Sequence, residues 1–183
     1  QQIYDAIDNE THEKRCARYG FEYKPRDTLR RIFFGSLIAD DSLDTIRIHA
    51  TEVYGIYEMT AFVESNLTQT MTKRPLRYTE GSAQLQFIQS GIFGPSTRVE
   101  VVFFFNDTLE VSPLLRENIQ RELIIDRWKQ NGMKPDDIGI VADIDETWSR
   151  DFLRAVQVCD VPSLRPDQDC REPKIVGETL IFE

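Results

Sequence analysis

The stretch RRIFFGSLIADDSLDTIRIHATEVYGIYEMTAFVES, residues 30–65, decides the architecture. Its first ten residues are an apolar run of strand length. Asp41 or Ser42 stands where a helix N-cap belongs, and Leu43, Ile46, Ile48, Ala50 and Val53 recur on a rough helical face. Gly55 suits the far end of that helix. YEMTAFVES (57–65) then reads as a second strand. Strand, helix and strand at this spacing make a βαβ unit, which implies parallel strands and a right-handed crossover.

Outward from this unit the pattern continues. Residues 66–82, NLTQTMTKRPLRYTEGS, are polar and too long for a tight turn. A polar loop leaving the carboxyl end of a parallel strand is where such folds place ligands. AQLQFIQSGIF reads as a short helix and RVEVVFFF (98–105) as a third buried strand. The helix over 112–132 is the clearest: Ser112 caps it, Pro113 opens it, Leu115, Ile119, Leu123 and Ile124 form its buried stripe, and Asn131-Gly132 ends it. DIGIVADID (137–145) is a fourth strand, Ser149 caps the helix RDFLRAVQVC, and KIVGETLIFE (174–183) is a fifth strand. The fold class is α/β, a mostly parallel Rossmann-like sheet flanked by helices. Residues 1–29 read as an irregular N-terminal extension or stem ahead of a domain over 30–183. The chain does not begin with Met and closes on a strand, so the expectation is a piece of a longer chain.

Composition narrows the function. At 40% hydrophobic and 29% charged the 183 residues are those of a globular protein. Thirty-one acids against 22 bases leave a net charge of −9, which argues against broad nucleic-acid binding. No apolar run approaches a membrane span, so membrane attachment requires an anchor outside this sequence. Of the three cysteines, Cys159 and Cys170 flank a loop that a disulfide could close, leaving Cys16 over; two free thiols are the other reading. Sequons at Asn9, Asn66 and Asn106, with a disulfide, lean toward a secretory compartment.

The chemistry concentrates at the end of the fourth strand, where VADIDETW gathers Asp143, Asp145 and Glu146. On an extended strand Asp143 and Asp145 share a face, with Ile144 turned into the packing. Two adjacent carboxylates repel unless a cation lies between them, and a hard divalent ion uses such oxygens while bridging to phosphates. A structural alternative is negative charge at the start of the helix capped by Ser149, which accounts for Glu146 and Asp151 but poorly for Asp143. Two metal chemistries fit D-x-D: a phosphatase of the haloacid dehalogenase type, whose D-x-D-x-T is matched by Asp143, Asp145 and Thr147, and a nucleotide-sugar transferase. The motif falls late in the sheet, which favours the transferase; a non-catalytic carbohydrate-binding module is a third reading.

Three blocks then carry a family likeness: FVESNLTQTMTKRPLRY (62–78), ENIQRELIIDRW (117–128) and DIGIVADIDETWSRDFLRAVQVCDVP (137–162). Over roughly residues 30–183 the chain resembles the β-1,4-mannosyl-glycoprotein β-1,4-N-acetylglucosaminyltransferases, the bisecting enzymes. The resemblance implies a GT-A-like fold, a UDP-GlcNAc donor, Mn²⁺ (or Mg²⁺), inversion at the anomeric carbon, and an N-glycan mannose or glycoprotein acceptor. It implies a Golgi-lumenal or secreted location. Asp143 and Asp145 would carry the metal, with Asp143 also near the donor. Glu64, Asn66, Thr70 and Lys73 would line the donor pocket, and Arg121 would steady that loop or the phosphates. Glu146 is a candidate base, although the base is expected beyond Glu183. Lys73, Arg74 and Arg77 form a basic patch suited to phosphates. Asn66 is either a pocket residue or a glycosylated one, since a glycan would block the pocket. Trp148 reads as packing or as a stacking surface, and His12 and His49 both read as surface residues.

Overall fold

The computed structural model describes residues 7–105 and 112–164. The chain divides into two compact units, Arg31–Thr147 and Gln1–Arg30 with Trp148–Glu183.

The first unit is built on β2 (Ile32–Ile38), α2 (Leu43–Glu52), β3 (Tyr57–Ser65), α3 (Ala83–Gln89), β4 (Arg98–Phe104), α4 (Pro113–Gln130) and β5 (Ile138–Val141). Its four strands are all parallel, in the order β4-β3-β2-β5. The chain moves outward from β2 to β3 and β4, then returns to the other side of β2. The order therefore reverses between β2 and β5, and in open α/β sheets the crevice beyond the carboxyl ends at such a reversal is the ligand site. The expected βαβ unit is present, and Ser42 is its cap: the hydroxyl accepts the Thr45 N–H at 3.0 Å.

The core lies between the sheet and α4. Phe33, Met59, Ala61 and Val63 pack against Ile124 and Trp128, all almost fully buried. The helix approaches this closely because two strand positions carry no side chain. A Cβ on Gly35 would stand 2.0 Å from the Ile124 Cγ2, and one on Gly139 would stand 2.6 Å from the Trp128 ring. The Trp128 indole N–H donates to the Phe34 carbonyl at 3.0 Å. A second aromatic group joins Phe34 of β2, Tyr57 of β3 and His49 of α2, the Phe34 ring lying 5.1 Å from Tyr57 and 4.6 Å from His49.

Three expectations for this unit need correction. The buried row of α4 is Arg116, Gln120, Ile124 and Trp128, while Leu115 is half exposed. An i, i+4 row headed by two polar residues is invisible to a hydrophobic count, and the burial of Arg116 depends on carbonyls from elsewhere in the chain. On α2, Ile48 is 70% exposed and His49 is buried. The fourth strand is also shorter than expected: β5 ends at Val141, and Asp143–Glu146 form a turn beyond it.

The second unit contains α1 (His12–Arg18), β1 (Glu22–Tyr23), α5 (Arg150–Val158) and β6 (Cys159–Asp160). The N-terminal residues expected to be irregular thus include a helix, and β1 pairs antiparallel with β6. Cys16 and Cys159 form a disulfide, with Cα atoms 5.5 Å apart. This overturns both readings of Cys159, as bridged to Cys170 and as a free thiol. Helix α1 and the β1–β6 pair bring Cys16 beside Cys159 across 143 residues of sequence, a proximity no local spacing reveals. Cys170 and the strand expected at 174–183 lie outside the described residues. Asp151, expected to complement a helix start, also joins α5 to α1: it accepts from Arg15 at 3.1 Å, Arg18 at 2.5 Å and Tyr19 at 2.9 Å. Burial raises its pKa, but these donors outweigh burial and hold it below the usual carboxylate value. Trp148 stacks on Phe152 with ring centres 4.8 Å apart, so it has a packing partner.

Two measurements check this account. Gly35→Ala is expected to lower the free energy of unfolding by about 1–3 kcal/mol, through overpacking against Ile124, as read by urea denaturation. Replacing Cys16 and Cys159 with Ala is expected to cost about 2–5 kcal/mol, because so long a closed loop constrains the unfolded chain strongly. Comparing oxidised, reduced and doubly substituted protein by denaturant unfolding tests it.

Candidate functional site

Two segments converge at the carboxyl end of the parallel sheet: the loop after β3 and the acidic turn after β5. Each is held by buried groups.

The loop is organised from β3 itself. The Glu64 side chain is fully buried. Its carboxylate accepts the Arg77 N–H at 2.6 Å, the Tyr78 N–H at 3.0 Å and the Arg74 guanidinium at 3.2 Å. Glu64 was expected to offer an oxygen to a ligand; here those oxygens fold residues 74–78 back over the strand end. From the other side, the buried Arg116 donates to the carbonyls of Thr68 at 2.9 Å and Gln69 at 2.5 Å, and also contacts the Met71 sulfur. Arg116, not Arg121, is therefore the arginine that holds this loop. At the tip Met71 adopts φ 64°, an uncommon conformation for a residue with a side chain. Thr70 is exposed, its hydroxyl 3.0 Å from that of Thr68 and 3.5 Å from that of Thr72. Lys73 is exposed and pairs with Leu67 in an isolated antiparallel bridge. Of the expected basic patch, Arg74 is turned inward to Glu64 and Arg77 pairs with Asp40 at 3.0 Å.

Asn66 is pinned by its backbone: its N–H donates to the Phe104 carbonyl at 3.3 Å, and its carbonyl accepts the Arg74 N–H at 2.9 Å. Its side-chain oxygen is buried with no hydrogen-bond partner among the described residues, as are the Arg74 Nε and the Tyr78 hydroxyl. Buried polar atoms of this kind are completed by ordered water or by a ligand. Burial pushes the Tyr78 hydroxyl up to about 12, with the negative charge of Asp41 and Glu64 adding to it, so it stays protonated as a donor at neutral pH.

The acidic turn is short and closed on itself. The Glu146 N–H donates to the Asp143 carbonyl at 3.0 Å, and the Asp143 N–H donates to the Glu146 carboxylate at 3.2 Å. Asp143, Asp145 and Glu146 are exposed, whereas Ile144 is 2% exposed. Ile144 packs inward as expected, but on a turn and not on a strand. Arg121 donates to Asp143 at 3.2 Å while also pairing with Glu117 at 2.8 Å. The Ile144 carbonyl lies 3.1 Å from the His49 Nδ1.

The two carboxylates most suited to a cation, Asp143 and Asp145, are thus on one exposed turn. Among the described residues no group of three or more His, Cys, Asp or Glu side chains is arranged to hold a metal ion. A divalent ion here would take most of its oxygens from water and a phosphorylated ligand, which is how Mg²⁺-type ions commonly bind. It would share the Asp143 carboxylate with Arg121, which bonds one of its two oxygens. Sequence reasoning missed Arg116 and His49. For His49 the available signal was a polar residue on an otherwise apolar helix face; for Arg116, whose row also carries Gln120, there was none.

These features belong to an α/β protein with the loop after β3 and the acidic turn after β5 at the carboxyl edge of a parallel sheet. The family model described as glycosyltransferase family 17 matches residues 3–165, and the chain belongs to that family. It is accordingly a glycosyltransferase, a transferase that joins a sugar donor to a glycan acceptor. No curated protein and no solved structure matches the chain. No helix among the described residues is long and apolar enough to cross a membrane.

Glu64→Ala is expected to destabilise the protein by about 2–3 kcal/mol, since it strands two N–H groups and a buried guanidinium; a solvent-facing ligand carboxylate would show almost no change in denaturant unfolding. A second prediction concerns acid. Burial lowers the His49 pKa from 6.5 to about 4, so the ring is neutral in the folded protein at neutral pH. Below pH 6.5 the unfolded chain takes up a proton that the folded chain refuses, so stability falls as pH drops toward 4. The loss is on the order of 3 kcal/mol, and it should vanish from the pH 7 to pH 4 difference in unfolding free energy when His49 is replaced by Asn.

Proposed function

We propose that this chain is a GT-A-like domain that transfers N-acetylglucosamine from UDP-GlcNAc to a mannose of an N-glycan, with inversion at the anomeric carbon. The observation that carries the reading is the exposed Asp143–Asp145 turn at the sheet's carboxyl edge, in a member of glycosyltransferase family 17. Asp143 and Asp145 would hold Mn²⁺ (or Mg²⁺). When bound, the ion supplies positive charge opposite the diphosphate that leaves with UDP.

The chain's own groups fit around such a ligand. Arg121 is tethered to Glu117 and reaches Asp143, so a diphosphate at the turn lies within its range of motion. Thr70 and Lys73 present a hydroxyl and an ammonium from the exposed loop tip. The buried oxygen of Asn66 and the Tyr78 hydroxyl are unsatisfied polar atoms on the same loop. Glu64 acts indirectly by folding the loop. Glu146 remains a candidate proton acceptor, although its carboxylate is engaged in closing the turn. A lumenal or secreted location is supported by the Cys16–Cys159 disulfide, since such bonds persist in oxidising compartments. The bridge joins the two ends of the matched region.

The test is titration calorimetry of UDP and UDP-GlcNAc with Mn²⁺ and with a chelator, on the wild type and on Asp143→Ala/Asp145→Ala. Metal-dependent binding weakened by about 100-fold or more in the double variant is expected, on the order of the 2.7 kcal/mol that two decades represent. Equal binding with and without metal, or in the double variant, would refute the clamp. Release of inorganic phosphate from phosphorylated substrates, lost in the same variant, would instead favour phosphatase chemistry.

A further inference from the structure

We propose that His49 is a positioning residue for the acidic turn: from α2 it fixes the peptide between Asp143 and Asp145. The inference rests on the reading of that turn as the cation and diphosphate site, and it concerns a residue with no other part in that reading.

The argument begins with a backbone carbonyl. Strand β5 ends at Val141, so the Ile144 carbonyl has no strand neighbour. It is nevertheless directed inward, with the Ile144 side chain buried beside it. A buried carbonyl beyond the end of its ladder must find a donor. That donor is the His49 Nδ1, 3.1 Å away. Because a carbonyl only accepts, the proton resides on Nδ1 and the ring's other nitrogen is an acceptor. The Tyr57 hydroxyl lies 3.3 Å from that Nε2 and donates to it. Phe34, Tyr57 and Phe93 surround the imidazole, their ring centres 4.6, 6.0 and 6.3 Å from its own. These neighbours fix the plane of the ring, the Ile144 carbonyl fixes its tautomer, and Tyr57 satisfies the nitrogen left as acceptor.

The consequence is local rigidity where it matters. Asp143 and Asp145 are exposed, and their side chains gain nothing from the core. The peptide between them is held at its midpoint from beneath, by the Ile144 side chain and by the His49 hydrogen bond. A site with only two protein carboxylates has little capacity to organise itself around a cation, so its affinity depends on how well the turn is ordered beforehand. A histidine at the base of the turn supplies that order without competing for the ligand, because its ring faces the core.

The experiment compares His49→Leu, which fills the space without a donor, with His49→Asn, which keeps an N–H near the position of Nδ1, and with Tyr57→Phe. Two readouts are taken. The first, with no metal present, is hydrogen–deuterium exchange of the Asp143 and Glu146 amides, both bonded within the turn, against amides of β2 and β3 as the internal standard. The second is Mn²⁺ affinity in the presence of UDP, from the paramagnetic resonance signal of the free ion. His49→Leu is expected to speed exchange in the turn about tenfold with the strand amides unchanged, and to weaken Mn²⁺ about tenfold. Tyr57→Phe should give a smaller change in the same direction, and His49→Asn should restore both readouts to within about threefold of wild type. Wild-type exchange in the turn for both His49→Leu and Tyr57→Phe would overturn the proposal. So would equal acceleration in turn and strands, which would make His49 a general core residue. If His49→Leu does not fold, Tyr57→Phe and His49→Asn decide the question by the same criteria. If the wild type binds no Mn²⁺, the cation reading fails and the metal-free exchange still decides whether His49 holds the turn.

Discussion

Helix α4 can lie where it does because Gly35 and Gly139 have no side chains. Ile124 and Trp128 occupy the space that a Cβ on either strand would fill. That contact fixes the helix along its axis as well as against the sheet. One turn before Ile124 the same helix presents Gln120 and Arg121, and a further turn brings Arg116 to its N-terminal end. Seating the core residues therefore places Arg121 opposite Asp143 and Arg116 beneath the carbonyls of Thr68 and Gln69. The packing constraint and the geometry of the sheet's carboxyl end are one constraint, transmitted along a helix.

Around that helix, charge is distributed unevenly. The loop after β3 is built from ion pairs and charge-assisted hydrogen bonds that are turned inward: Glu64 with Arg74, and Arg116 with backbone carbonyls. These groups stiffen the loop and are unavailable to a ligand as they stand. The turn after β5 has the opposite character. Its backbone is closed by reciprocal bonds between Asp143 and Glu146, while its carboxylates remain exposed. Separating the groups that hold shape from those that meet solvent is the arrangement a preorganised binding site requires.

Much of this was legible in the sequence. The βαβ unit, the Ser42, Ser112 and Ser149 caps and the parallel sheet all follow from periodicity and local capping chemistry; the carboxylates were expected on the fourth strand and lie on the turn after β5. The failures share a cause. Leu115 was read as core and Arg116 was not singled out, because hydrophobic counting passes over polar residues. Arg116 is buried because two carbonyls, 47 and 48 residues away in sequence, receive its protons. His49 is buried for the same kind of reason, its partners being a carbonyl 95 residues away and a tyrosine on the adjacent strand. Glu64 was read as a ligand group, but its carboxylate is taken up by Arg74 and by the N–H groups of Arg77 and Tyr78, which no local pattern announces.

The sequence by itself determined the βαβ unit, the helix caps, the parallel arrangement and a cluster of carboxylates near the end of β5, because caps, periodicity and residue spacing act over a few residues. Tertiary structure alone decided which cysteine pairs with Cys159, which arginine holds the loop and which donor meets the Ile144 carbonyl. Each of those choices depends on groups far apart in the chain meeting at hydrogen-bond or covalent distance. Such meetings are set by how helices and strands pack, and no local pattern of residues encodes them.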